Sequence, residues 1–382
     1  MRFQCNRLFL VVCVFIIIQP SLIAAEYTSA QTGAPSSRMH PGIEYDKTNT
    51  RVIMFGGGTL SYVLEDTWTY VYSTNTWTQL FPTTSPSARS GAATAYDPTR
   101  ECMILFGGWL GSSRGDDTWI FNCTTDEWSE VSPAVSPSPR MSSNMVYDFT
   151  NDVVILFSGY CDESVRPDDT WVYNISDNRW SEMSPSTSPC GRYGHCMIYD
   201  STENRTILFS GNSPDGMTSD LWEYDYPTDT WTELSAYPQP LGRKWGSMVY
   251  DSDLNRGILF GGDCNDPEFI DDTWAFNCET SDWEQFTLES KPEVRASPGL
   301  AYDSTNHLVV LFGGQGGGFG GDYYSFDDTW VFLNNEWVDM STMPSSSATT
   351  SNGVIPVEWI IVGISVPIII GAVIFVRMKR SQ

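Results

Sequence analysis

Histidine is nearly absent from this chain, with three in 382 residues. A copper or zinc centre of the imidazole kind needs several such rings converging on one point, and His40, His195 and His307 share no ligand spacing. Basic residues are also scarce: 21 Lys+Arg stand against 47 Asp+Glu, a formal net charge of −26. Such a field repels phosphate backbones and excludes nucleic acid as a partner. Long apolar runs are missing from the interior of the chain and occur only at its two ends.

Those ends predict location. Residues 1–25 place Arg2 and Arg7 before the apolar run Leu8–Ile18 and small residues around Ala24 and Ala25, the order of a secretory signal peptide. Residues 356–376 are apolar for long enough to cross a bilayer and are followed at once by Arg377, Lys379 and Arg380, which belong on the cytoplasmic side. The stretch 342–355 is rich in Ser and Thr and reads as a stalk, and 377–382 as a cytoplasmic tail. The expectation is a single-pass cell-membrane protein with its body outside the cell and the lipid bilayer as one partner.

What the chain does have is one phrase written six times. Arg38, Arg89, Arg140, Arg192, Arg243 and Arg295 are spaced 51, 51, 52, 51 and 52 residues apart. Each opens a copy that runs through Tyr-Asp, an apolar run ending in Phe-Gly-Gly or Phe-Ser-Gly, then Asp-Thr-Trp or Asp-Leu-Trp, then another Trp. A fixed period near fifty points to a propeller. In the second copy, Arg89–Asp97, Cys102–Phe106, Thr118–Asn122 and Trp128–Val131 are short β-rich runs divided by turn residues. They read as strands A to D of an antiparallel meander. The expected fold is all-β: a six-bladed propeller of four-stranded blades over 38–341, preceded by a lead-in at 26–37. Closure would rest on packing between blades one and six, with the lead-in free to add to an edge.

The double glycine followed by Tyr or Phe separated by six residues from a Trp (Tyr70/Trp77, Phe121/Trp128, Tyr173/Trp180, Tyr224/Trp231, Phe276/Trp283) resembles the Kelch repeat. The sixth pair, Phe332/Trp337, has a shorter turn. The extra Trp of Asp-Thr-Trp is similar to the prokaryotic-type Kelch and galactose-oxidase central-domain variants. The resemblance covers about residues 35–341 and implies that partner recognition lies on the face carrying the B–C and D–A loops.

An Arg at the start of every A and an Asp at the start of every C (Asp66, Asp117, Asp169, Asp220, Asp272 and Asp328) predict a sixfold ring of structural ion pairs, because guanidinium and carboxylate match as a bidentate pair. Twelve of the fifteen Trp fall at the two repeated positions and are read as core. Trp109 and Trp245 fall outside them. Seven cysteines follow the signal segment. In an oxidising compartment, Cys102 with Cys123 and Cys161 with Cys190 are the expected disulfides. Asn122, Asn174 and Asn204 head glycosylation sequons.

Function should lie where the repetition breaks. The loops of blades three, five and six differ most, and Trp109, Arg114, Tyr160, Arg166, Phe269, Phe319, Tyr323 and Tyr324 are the candidate contacts for a protein or glycan. No catalytic residue, metal ligand or cofactor is assigned. Loop carboxylates Asp162, Glu163, Asp215, Asp263, Asp266 and Glu268 could hold calcium, but they spread over different blades. A binding or adhesion protein is the leading reading. An extracellular carbohydrate-active enzyme using loop or channel carboxylates, or a purely structural surface component, are the alternatives.

Overall fold

The computed structural model describes residues 31–162, 165–265, 268–317 and 322–343. The expected signal peptide at 1–25, the lead-in before residue 31, the expected stalk and membrane span from 344 onward, Phe319, Glu163 and Asp266 lie outside the described residues. Among those described, no helix is long and apolar enough to cross a membrane.

Six antiparallel sheets follow the chain order. Blade two consists of strands Ala93–Asp97, Cys102–Phe106, Thr118–Asn122 and Glu127–Val131, and the other five repeat this A-B-C-D meander. Strand A starts four residues after each arginine, so the arginine belongs to a separate inner segment and not to the strand. Blade one gains a fifth strand, Gln31–Thr32, which pairs with Thr78 and Gln79 on its outer edge. Blades six and one meet face to face and share no strand, since Ile43, Val52 and Met54 pack with Val310, Phe312 and Val331 in one cluster.

The outer tryptophan is the wedge between blades. In blade three, Trp180 stacks 4.9 Å from Tyr173 of its own strand C and 5.1 Å from Phe106 of blade two. At the seam the same arrangement joins Trp77 to Tyr70 at 5.0 Å and to Phe312 of blade six at 4.8 Å. Tilted aromatic pairs at these separations add to simple area burial. Each indole N–H also needs an acceptor when buried. Trp77, Trp128, Trp180, Trp231 and Trp337 donate to the Thr of the preceding blade's Asp-Thr-Trp. Blade four reads Asp220-Leu221-Trp222, so Trp283 finds no hydroxyl, and its Nε1 is buried without a partner.

The six arginines are at most 1% exposed. Arg89 binds both oxygens of Asp117 at 2.7 Å, donates to the carbonyl of Gly107 at 3.0 Å, and sends Nε to the carbonyl of Ser87 at 2.9 Å. Trp119 Nε1 completes the carboxylate's shell at 2.7 Å. The same set recurs in every blade, and each pair forms within its blade. Burial alone would raise the Asp117 carboxyl, but the Arg89 guanidinium and Trp119 outweigh it and hold the group below the ordinary carboxylate range. Asp220 is held down in the same way by Arg192.

The glycine pair follows from this. A Cβ on Gly107 would lie 2.6 Å from the carbonyl oxygen of Arg140 in the next blade, closer than real Cβ contacts come. Where serine stands instead, its hydroxyl turns the contact into a bond: Ser158 Oγ donates to the Arg192 carbonyl at 2.7 Å.

The expected disulfides are not formed. Cys102 pairs across the sheet with Asn122, so Cys123, one residue on, falls on the opposite face. Cys102 packs towards blade three and Cys123 towards blade one. Cys161 Sγ lies 3.4 Å from Ser138, whereas Cys190 occupies the serine position before Arg192 and accepts from that guanidinium at 3.2 Å. All four are free thiols.

Two outcomes follow. Thr118→Val leaves Trp180 Nε1 buried without an acceptor and should lower stability by about 1–3 kcal/mol, read as a lower urea midpoint at unchanged slope. Asp117→Ala strands a buried guanidinium and should cost about 3–5 kcal/mol, read in the same titration.

Candidate functional site

Two residues beyond each arginine the backbone turns left-handed. His40, Gly91, Ser142, Gly194, Trp245 and Ser297 have φ between 51° and 64°, a region uncommon for residues with a Cβ. Each turns its N–H to the preceding blade. His40 donates to Ser297, Ser297 to Trp245, Trp245 to Gly194, Gly194 to Ser142, Ser142 to Gly91 and Gly91 back to His40, at 2.7–3.0 Å. The six bonds close a circle around the axis. Tight packing is visible at Gly194, where a Cβ would meet the Trp245 ring at 2.7 Å.

A cavity of about 250 Å³ sits against this circle on the loop face, lined by His40, Ser90, Gly91, Trp109, Arg114, Met141, Ser142 and Trp245. The residue after each glycine pair, or Ser-Gly pair, bridges to the residue after its own blade's arginine: Trp109 with Ser90, Tyr160 with Met141, Asn212 with Tyr193, and Asp263 with Lys244. Of these bridged residues, Ser90, Trp109 and Met141 line the cavity, and the others continue the same loop face beside it. Arg114 lies 4.7 Å from the Tyr160 ring and 5.7 Å from Trp109. Arg166 lies 5.0 Å from Tyr193, and Lys244 lies 4.5 Å from Trp245. The aromatics continue into one another, Tyr160 to Tyr193 at 5.1 Å, Tyr193 to Trp245 at 6.0 Å and Trp245 to His40 at 5.2 Å.

In a chain of net charge −26, this half-ring gathers three cations over an aromatic floor. Lys244 is neutralised by Asp263 at 3.0 Å. Among the described residues no ion pair is found for Arg114 or Arg166, and the Nε of each is buried without a partner, as is Trp245 Nε1. Such donors gain most from an acceptor that arrives with a ligand.

Of the candidate contacts, Trp109, Arg114, Tyr160 and Arg166 therefore come together. Phe269, Tyr323 and Tyr324 form a separate group. Tyr323 donates to Glu268 and lies 6.1 Å from Phe269, and Tyr324 pairs with Gly316 in a short ribbon. Phe269 is only 7% exposed, so it supports Tyr323 from below and offers little surface itself. The sequence reading missed His40, Tyr193 and Lys244 and placed Trp245 in strand A. The signal was present, because Trp245 occupies the position where other copies carry Gly, Ser or His.

Among the described residues no group of three His, Cys, Asp or Glu could hold a metal ion. His40 touches Ser297 Oγ through Nε2 at 2.9 Å, and burial pushes it down to about 4. His195, with both ring nitrogens unpartnered, is pushed to about 3 by burial, with the Arg192 cation adding to the effect. Asn122 and Asn204 are exposed and Asn174 is half-buried, all on the opposite face with the A–B and C–D turns.

Because both histidines are harder to protonate folded than unfolded, the unfolded chain takes up protons first. Their contribution is complete above about pH 6.5 and is lost as the pH falls towards 4. His195→Phe should flatten this acid limb of a stability-versus-pH curve measured by chemical denaturation.

Comparison with known proteins agrees with the architecture. A model of the KLHDC2/KLHL20/DRC7 Kelch-repeats domain matches residues 23–188 and 149–357, and propellers of this kind are typically non-enzymatic binding domains. The chain is similar to Mei4-dependent protein 6 of Schizosaccharomyces pombe, 30% identical over 59% of this chain and 36% of that protein. It is also similar to multiple epidermal growth factor-like domains protein 8 of mouse, at 26% over 70% of this chain and 10% of that protein. F-box/kelch-repeat protein At1g51550 of Arabidopsis thaliana is 26% identical over 64% of this chain and 53% of its own length. The chain thus corresponds to between a tenth and about half of these relatives.

Proposed function

Since the chain belongs to the KLHDC2/KLHL20/DRC7 type of Kelch-repeat domain, we propose that it is a recognition protein that holds a partner protein in the aromatic–arginine cup of its loop face. The observation that carries this is the pair Arg114 and Arg166, stacked on Tyr160 and Tyr193 with buried, unused donors. The cup prefers a carboxylate or carbonyl-rich element of the partner, because these supply the missing acceptors. Glycan binding is the second reading, favoured by the half-buried rings of Trp109 and Trp245 beside the cavity, on whose faces a sugar could stack.

The setting proposed is a cell surface. A signal peptide at 1–25 and a membrane helix at 356–376 would tether the propeller outside the cell, with the basic tail inside. Glycans on Asn122, Asn174 and Asn204 would then project from the face opposite the cup and leave it clear.

The test is a binding screen of residues 31–343, immobilised, against extracellular protein domains, acidic peptides and glycans. Arg114→Ala and Tyr160→Ala should each weaken a captured ligand by about tenfold or more, equivalent to about 1.4 kcal/mol, and added salt should weaken it further. Tyr237→Ala, on the outer rim, should change nothing. Binding insensitive to both cup variants rules the cup out.

A further inference from the structure

A second cavity, of about 660 Å³, lies along the axis on the other side of the hydrogen-bonded circle and is lined by the six A strands. Its residues begin directly after those of the circle, at Pro41, Ala92, Ser143, Gly246 and Pro298. The cavity is large enough for a small molecule.

At the two positions where neighbouring A strands pack against each other, the lining is apolar except in one place. Where blade one carries Glu44, the equivalent positions are Ala95, Val146, Ile198, Val249 and Ala301. Where blade two carries Thr94, the equivalents are Ile43, Met145, Met197, Met248 and Leu300. The two exceptions touch: Thr94 Oγ1 donates to Glu44 Oε1 at 2.9 Å. Five interblade contacts are thus apolar against apolar, and the sixth is a hydroxyl against a carboxylate. Thr94 is the sole side chain bonded to Glu44 among the described residues, and no cation neutralises it. Lys47, the other charged residue of the lining, is exposed at the mouth and lies close enough to Asp253 to influence it. An uncompensated carboxylate in apolar surroundings is costly, and burial pushes Glu44 up to about 7 despite the Thr94 bond.

We propose that this channel is a binding site for a primary ammonium group on an apolar stem, with Glu44 as its counter-ion, Thr94 as the group that orients the carboxylate, and Met145, Met197 and Met248 as walls for the stem. The ammonium could come from a free amine or from a lysine side chain of another protein, as both present the same chemistry. Methionine suits such a wall because its unbranched, polarizable side chain adapts to varied shapes. The acidic exterior raises the local concentration of cations. This site is separate from the loop-face cup and does not depend on that reading.

The titratable groups around Glu44 are few. Its own hairpin supplies Tyr45, Asp46 and Lys47, and blade two supplies Tyr96, whose hydroxyl donates to Asp46 at 3.2 Å. Asp46 is already paired with Arg51 at 3.0 Å. The other lining tyrosines are Tyr147, Tyr199, Tyr250 and Tyr302; of these, Tyr147, Tyr199 and Tyr302 are pushed upward by burial. Glu44 is thus the group whose charge changes near neutrality, and ammonium binding should strengthen as the pH rises through about 7.

The experiment uses the full chain in zwitterionic detergent with ¹³C-methyl methionine, following the Met145, Met197 and Met248 resonances. Butylammonium should shift them saturably, with affinity up to about tenfold higher at pH 8 than at pH 6. Butanol should not. Glu44→Gln should abolish the preference for the amine, and Glu44→Val with Thr94→Met, which copies the other blades, should abolish binding while keeping the fold. Nα-acetyl-lysine methylamide distinguishes the sources: response to it points to a lysine of a partner, and response to butylammonium alone to a free amine. Equal response to butanol, no response at pH 8, or amine binding unchanged in Glu44→Gln overturns the proposal.

Discussion

Everything in this ring is hung on a buried guanidinium. Each repeated arginine clamps its own blade by gripping the aspartate that opens strand C and the carbonyl that ends strand B. Its backbone carbonyl meanwhile accepts the N–H of the preceding blade's second glycine, as Arg140 does from Gly108 at 2.8 Å. One residue type thereby fixes strand spacing within a sheet and the approach of its neighbour. A buried charge is weak evidence of stability in general. Here its value is positional, since a bidentate pair tolerates little displacement.

Much of this was legible in the chain. The period, the Arg–Asp partnership and the aromatic pair of strands C and D each recur six times, and recurrence separates structural demand from accident. The strand runs of blade two matched nearly residue for residue, because a meander with tight turns leaves little freedom in register. Strand A was misread at its start. Ser90, Gly91 and Ala92 are poor strand formers, and a glycine is the residue that tolerates the positive φ found at Gly91, so the break was visible in the composition.

Other features were hidden for different reasons. Cys102 and Cys123 were assigned to each other by proximity, but alternation along a strand sends neighbours to opposite faces, and a single step in register decides the matter. The cup was half visible. Trp109 and Arg114 share a loop, whereas His40, Tyr193 and Trp245 come from three blades and meet only because the backbone circle brings those positions to the axis. The Glu44–Thr94 contact requires the copies to be aligned position by position, since neither residue is unusual by itself.

The circle of six backbone bonds has an electrical consequence. Its amide-to-carbonyl links run head to tail in one rotational sense, so each polarises the next while their components in the plane cancel around the loop. Unlike the terminus of a helix, which offers a concentrated partial charge to any ion, this closed annulus presents no pole of its own. Whatever preference for anions or cations exists at either of its mouths must therefore be written by the side chains, and it can be rewritten on one side without disturbing the other.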